Sequence, residues 1–447
     1  MKKLLLAILI VAPGTAILAQ DSLSLREAVD LALKNNKSVA AAAAEQDAAK
    51  SRLIEARAAF LPAINYAESW SRSDNPVFVF SSLLSQHQFA EQNFHVESLN
   101  RPDFLNNFQS RITADQTLFD AGRSKRAVRS SEIAGNVAGE NRRISEMGTI
   151  AAAVRAYYDA VLSAEEWNAA NQAVRSADAD LQRAQSVRTA GMSTDADVLS
   201  IRVHLAAVEE RRIRRSADLE VARAALNDAL GLPLDTPHNL TTALTRAALS
   251  LESVTEYERS AMGLRPEARE AKLATSLARN RAEDAHGGML PQIAIHGVFE
   301  ADRQRFYDRG GANWLASVEL RWNVFNGFGD KARIAETESL VKSSEAGTER
   351  TGSAIRLEVR RAYADLRAAE QRIEAAKAIV ADAEESLRIT QNRYEAGLNN
   401  VTDLLRTESA VLEARTRYLS AIHDQRLAAT MLELAAGRLS AGSEVLN

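Results

Sequence analysis

The sequence predicts a mainly α-helical fold with a membrane β-barrel contribution, built from an internally duplicated unit of helix, strand, strand, long helix and return helix. Three observations carry this. Glycine (20 residues), proline (8) and aromatics (5%) are sparse in 447 residues while charge reaches 26%, a composition closer to long-helix proteins than to mixed α/β enzymes. Sliding the chain by 206 residues (397 − 191) aligns Phe119 to Gly231 with Phe325 to Gly437 without a gap, and a repeat of this kind governs every later assignment. Between Asn313 and Phe325 the residues alternate strictly, with Trp314, Ala316, Val318, Leu320, Trp322 and Val324 on one face and Leu315, Ser317, Glu319, Arg321 and Asn323 on the other.

The chain opens "MKKLLLAILIVAPGTAILAQ": two lysines, a short apolar run and small residues ending at Ala19. This reads as a secretory signal peptide over 1–19, too short for a transmembrane helix. Its loss removes Lys2 and Lys3 and no acid, taking the formal charge from −4 to −6, a sign that makes the mature chain a poor candidate for nucleic acid binding, so no nucleic acid partner is expected. No cysteine is present, which excludes disulfides, thiolate metal sites, cysteine nucleophiles and an acylated N-terminal cysteine. Later segments lack 18 consecutive apolar residues, so a membrane-spanning role falls to strands.

The first repeat is placed at 20–231, with strands near 62–72 and 106–119 and a tip near 191. The second is placed at 265–447, with strands near 291–303 and 313–325 and a tip near 397, and a linker region, 232–264, joins them. A second offset, 229, sets Leu61-Pro62 against Leu290-Pro291, so an extra segment lies between Pro62 and Phe119. Most of it is Ser73 to Phe104, read as a long outward loop whose "VFVFSSLL" suits packing against a neighbour or lipopolysaccharide. Each descending helix, Gly122 to Gly191 and Gly329 to Gly397, reaches about 100 Å at ~1.5 Å per residue. Gly191 and Gly397 mark the reversals, since glycine accepts the left-handed conformation at a helix C-terminus. Ser193-Thr194-Asp195 and Asn399-Asn400 supply capping oxygens for the helices that follow.

Alternation with charges on one face alone suits a barrel wall between lipid and water. A half-buried soluble hairpin alternates too, and that alternative stays open on periodicity alone. Trp314 and Trp322 are spaced as an aromatic girdle pair, and Phe108 and Trp70 join them from the first repeat. Four strands cannot close a membrane barrel, because the smallest use about eight, so a spanning chain must oligomerise.

The signal peptide, the duplication, the paired Leu-Pro junctions, "LFDAGR" and "VFNGFGDKAR" leaving the strands and the "YEAG" tip together resemble the TolC-like outer membrane efflux proteins. The resemblance covers essentially the whole mature chain. "LSLREAVDLALKNNKSV" is similar to the family's N-terminal helix, with Lys37 where proline is common, while Pro266 keeps that proline in the second half. The resemblance implies a homotrimer with one 12-stranded β-barrel continued by a long α-helical periplasmic tunnel. It further implies a passive exit duct in the outer membrane lipid, joined at its tip to a periplasmic adaptor and an inner-membrane pump of RND, ABC or MFS type, serving efflux or type I secretion.

Residues carry over from the family only at the tip. Tyr394 occupies the family's linking-tyrosine position and Asp403 its first gate acid. Asn399 stands where the best-known member has a linking arginine, and Arg406 where it has a second aspartate. Asp403, Arg406, Tyr394 and Asn399 are thus the candidate periplasmic gate, with helix-start chemistry the plain alternative for Asp403. Gly191, Met192, Ser193, Gly397 and Leu398 are the candidate adaptor-docking tips.

Enzyme signals are weak. "GFGDKA", Gly327 to Ala332, has the shape of a dinucleotide fingerprint, but its strand alternates and its repeat copy "AGRSKR" lacks the glycines, so it reads as a turn. No nucleotide, nucleophile-elbow or zinc-protease motif is present, and the seven histidines are scattered. Neither cofactor nor metal is expected. The alternative of a different class is a periplasmic coiled-coil scaffold or adaptor-like protein without a pore.

Overall fold

The structure, a computed structural model, describes residues 21–191, 194–248 and 250–446; the expected signal peptide, Met192 and Ser193 lie outside them. Strand β1, Asp21–Leu23, leads into α1, Leu25–Asn35. Ser24 caps α1 by accepting from the Glu27 amide while the Glu27 carboxylate accepts from the Ser24 amide, a reciprocal box that satisfies two otherwise orphaned donors. Helix α2 follows at Lys37–Arg57, then β2, Ala63–Ser73.

The segment read as a long loop is largely helical. Helix α3 spans Pro76–Ser85 and a short α4 spans Val96–Asn100. Asn75 Oδ1 accepts from the Val77 and Phe78 amides, and Pro76 sits at the first helical position, where its missing N–H costs nothing. Strand β3, Leu105–Phe119, then enters α5, Arg123–Thr189, which returns as α6, Asp195–Leu230. The region between the repeats holds β4, His238–Leu240, and α7, Val254–Leu264. The second half runs α8 (Pro266–Gly287), β5 (Gln292–Arg303), β6 (Gly311–Arg321), α9 (Gly329–Glu395) and α10 (Val401–Ala435). Helices α5 and α9 are each 67 residues long.

The turns into the long helices repeat in backbone as well as in sequence. Ala121 and Gly122 have φ of 55° and 81°, and their counterparts 206 residues on, Gly327 and Phe328, both have 68°. Each copy thus places two consecutive left-handed residues and supplies one glycine, at opposite positions of the pair. Strand β6 ends at Arg321 because its partner β5 begins at Gln292, directly after Pro291, which has no N–H to donate. Trp322 and Val324 therefore lie past the strand, and Trp322 Nε1 donates to the Met289 carbonyl at 3.0 Å.

The chain forms two compact units. One comprises the chain up to Ala40, Ser145–Met262 and Arg356 onwards. Its core buries Leu25, Val29, Val154, Tyr157, Leu230 and Leu432. The Tyr157 hydroxyl donates to the Leu23 carbonyl and accepts from the Thr242 amide, both at 2.9 Å, tying α5 to the ends of the paired strands β1 and β4. The other comprises Ala41–Ile144 and Gly263–Ile355 and contains a four-stranded sheet, order β2-β3-β5-β6, antiparallel throughout. Among the described residues no helix is long and apolar enough to cross a membrane.

Candidate functional site: a two-faced sheet and a helical tip

The sheet's register sorts its side chains by face. One row reads Trp70, Phe108, Arg303; the next but one reads Tyr66, Ile112, Phe299, Trp314; further on lie Ala114, Gly297 and Ala316. This face is apolar and largely exposed, with Trp314 at 79% and Tyr66 at 66%. Trp70 and Phe108 pack against each other with ring centroids 6.3 Å apart and planes tilted by 33°. Glu68 interrupts the apolar face one row from that aromatic pair, and it is fully partnered: Arg303 Nη2 lies 2.9 Å away, the Tyr66 hydroxyl donates at 2.8 Å, and Ser110 donates as well. Charges in apolar surroundings are tolerated when paired and near the aqueous edge.

The opposite face is polar and paired across strands. Arg111 meets Glu300 at 2.7 Å and Asp115 meets His296 at 2.5 Å, each pair directly opposite in the register. Water on one side and lipid on the other is the environment that this division fits.

At the helix reversals of the other unit, Gly191 and Gly397 have φ of 78° and 72°, the left-handed region that ends a helix without a Cβ penalty. The α5–α6 and α9–α10 hairpins share one apolar cluster: Ala184, Val198, Ile201 and Val401, with Leu181, Tyr394 and Leu405 packed against it. Arg183 pairs with Glu395 at 3.0 Å and Arg188 with Asp195 at 2.7 Å. Tyr394 lies on this cluster, and burial, helped by the negative charges of Asp197 and Asp180, pushes its hydroxyl above the usual tyrosine range. Asn399 Oδ1 accepts from Arg393 Nε at 3.0 Å, so an arginine missed in the sequence occupies the tip. Leu398 is 68% exposed.

Asp197 and Asp403, repeat counterparts, do different work. The Asp197 carboxylate accepts from the Thr194 amide at 3.1 Å while Thr194 Oγ1 accepts from the Asp197 amide at 3.2 Å, a complete capping box. In the second copy Asn400 Oδ1 takes the Asp403 amide at 2.8 Å, and the Asp403 carboxylate meets Arg406 at 3.3 Å. Further along the helices, His204 Nε2 and Glu408 Oε2 lie 3.5 Å apart. Burial, then the hydrogen bond and charge of Asp180, push the Glu408 carboxyl up to about 8. Burial pulls His204 down. None of these three is conserved between the repeats: the counterparts are Ser386, Ala410 and Arg202, so neither motif nor duplication exposes the cluster in the sequence. Among the described residues no group of His, Cys, Asp or Glu could hold a metal.

The family model described as outer membrane efflux protein matches residues 28–232 and 259–438. Protein CyaE of Bordetella pertussis is 27% identical over 431 residues, 94% of this chain and 85% of that one. Outer membrane protein OprJ of Pseudomonas aeruginosa is 22% identical over 84% of this chain and 76% of its own. Among solved structures, the Campylobacter jejuni CmeC outer membrane channel superposes with a TM-score of 0.78 at 16% identity, over 94% of this chain and 87% of that one. The chain belongs to the outer membrane efflux protein family: it is an outer membrane exit duct of the tripartite kind, and not an enzyme.

Proposed function

We propose that three copies of this chain close their sheets into one 12-stranded barrel, continued by helices into a periplasmic tunnel that conducts small molecules or exported polypeptides passively. The carrying observation is the two-faced sheet whose end strands β2 and β6 have no further neighbour in the described chain. Unpaired edges in lipid leave backbone donors and acceptors unsatisfied, and three copies in a ring remove all of them. In this reading the repeats at 20–231 and 265–447 and the equatorial region 232–264 are one protomer's share. Trp70, Phe108 and Trp314 belong to the aromatic belts, with Trp322 just beyond its strand.

Asp403, Arg406, Asn399 and Tyr394 form the periplasmic gate, and the tips at Gly191–Ser193 and Gly397–Leu398 receive a periplasmic adaptor coupled to an inner-membrane pump. Ring-like placement of Asp403 makes like charges repel across a narrow opening and favours cations, while Arg406 at i+3 moderates that preference. Planar-bilayer recording of the detergent-purified oligomer tests the reading. Discrete small openings are expected; failure of the oligomer to insert would favour a periplasmic scaffold instead.

A further inference from the structure

Asn326-Gly327, in the turn from β6 into α9, is the one Asn-Gly step in the chain. Every residue from Arg321 to Gly329 is exposed, so the step stands in water and not under packed neighbours. Its counterpart 206 residues earlier is Asp120-Ala121. The two copies therefore differ at the side chain that caps the long helix and at the residue that follows it.

In the first copy the cap is complete. Asp120 Oδ1 accepts from the Gly122 amide at 3.0 Å, and Oδ2 accepts from the Ser124 amide at 2.7 Å and from the Ser124 hydroxyl. In the second copy Asn326 Oδ1 accepts from the Asp330 amide at 3.3 Å, a longer bond to a neutral acceptor. The Gly327 amide meets no acceptor among the described residues, and a Cβ built on Gly327 would have nothing within 4 Å. Its nitrogen is thus free and unhindered, next along the chain from the Asn326 carboxamide. It also lies just ahead of the first turn of a 67-residue helix, whose positive end stabilises negative charge developing on that nitrogen and on the carboxamide oxygen. Asp120, already a carboxylate with both oxygens engaged and an alanine after it, has neither an amide to lose nor a glycine beside it.

We infer that Asn326 is a self-modification site, where the Gly327 backbone converts the carboxamide into a carboxylate after the chain has folded. The Gly327 nitrogen gives up its proton and bonds to Asn326 Cγ. The Cγ–Nδ2 bond breaks, the side-chain nitrogen leaves with a proton as ammonia, and a five-membered succinimide closes. Water then opens the ring. Addition at Cγ restores the main chain and leaves aspartate, whereas addition at the main-chain carbonyl carbon leaves isoaspartate, with the chain running through Cβ and Cγ. The sum is amide plus water giving acid plus ammonia, with no other reactant. In the aspartate product the Phe328 and Asp330 amides stand where those of Gly122 and Ser124 stand in the first copy, so the carboxylate has the same two donors to accept from. Asp330, in place of Ser124, adds a like charge one turn on, which the helix N-terminus offsets. Isoaspartate instead lengthens the backbone directly before the left-handed pair Gly327 and Phe328 and displaces it. The junction of the second copy thus changes with age while that of the first does not.

The test uses the full chain purified in detergent and held at mildly alkaline pH, with timed samples digested in acid and sequenced by fragmentation mass spectrometry. The mass gain of amide-to-acid conversion should appear at Asn326, grow with time and with pH, and be absent from Asn323 in the same stretch. Both aspartate and isoaspartate forms should be present, the mark of a succinimide. Gly327→Ala adds a methyl group that the first copy accommodates as Ala121 at φ 55°, so this variant should fold and lose most of the conversion. A parallel sample in denaturant separates the peptide's chemistry from the fold's. If Asn326 converts there but stays an amide in the folded chain, the fold shields the step and the inference is overturned. Undiminished conversion in Gly327→Ala overturns it as well, because the Gly327 nitrogen is then not the attacking atom.

Discussion

Asp403 separates gate from scaffold because its backbone and its carboxylate have different partners. The helix start is secured by Asn400, whose side chain holds the Asp403 amide, so truncating the carboxylate removes only an exposed i,i+3 pair with Arg406, worth about 0.2–0.5 kcal/mol. Asp403→Ala should therefore leave thermal stability nearly unchanged while raising single-channel conductance and lowering cation preference; an unchanged conductance in an inserted oligomer removes Asp403 from the gate. Its counterpart Asp197 behaves oppositely, since Asp197→Ala deletes half of a capping box and should cost about 1 kcal/mol. The Glu408 carboxyl supplies a pH dependence. Its pKa is raised to about 8 by burial and by Asp180, against an ordinary carboxyl range near 4.5, so the folded state binds the extra proton between those values. That contribution is complete below the unfolded pKa and is lost as pH rises through about 8. Thermal melts should show stability falling from mildly acidic to alkaline pH, and Glu408→Gln should flatten that slope; a slope unaffected by the substitution would place the titration elsewhere.

Among the elements, the duplication is legible where chemistry repeats and opaque where only geometry does. Arg265 and Asn36, 229 residues apart, precede α8 and α2 with nearly the same backbone, φ −67° and ψ 127° against φ −65° and ψ 125°. Pro266 sets the second break. The first is set by the Asn36 side chain, which accepts from the Ser38 amide at 2.8 Å, so an N-cap replaces a proline and leaves no shared letter. The alternating strands were readable from their local period, and the long helices from composition and from the spacing of the glycine reversals, where glycine accepts the left-handed conformation. Helix α3 was not, although Asn75-Pro76 is a start signal, because its apolar run has no polar stripe to betray a period. The three-residue strands β1 and β4 pair across more than two hundred residues, and no local pattern announces such a partner. The His204–Glu408–Asp180 cluster is invisible for the same reason. At the hairpin tips the exposed Leu398 tests docking: Leu398→Asp changes a side chain with few neighbours, so oligomer assembly and melting should be retained while export in cells falls at least tenfold, as expected for an anchor at the centre of an interface. Export at the unsubstituted level would place the adaptor elsewhere.

For the whole molecule, the decisive quantity is the fate of two strand edges. Strands β2 and β6 run in opposite directions, since each of the three pairings between them is antiparallel. An edge of one copy can therefore meet the other edge of the next in an antiparallel ladder, and the operation repeats heterologously until rotation closes the ring. An isolated four-stranded sheet would expose both edges and one apolar face to water, a combination that aggregates. Closure fixes one register, because a slip of one residue would exchange the lipid and water faces. Asn65→Cys in β2, combined in turn with Asn313→Cys, Leu315→Cys, Ser317→Cys or Glu319→Cys in β6, reads that register out on a chain with no other thiol. A closed ring predicts efficient intermolecular disulfides at one position or two neighbouring same-face positions, giving covalent dimers and trimers and no larger species. Cross-linking at every position alike would mean random collision. A ladder extending past trimers would mean an open assembly, and the absence of any bond would mean that the edges are met by something other than a second copy of this chain.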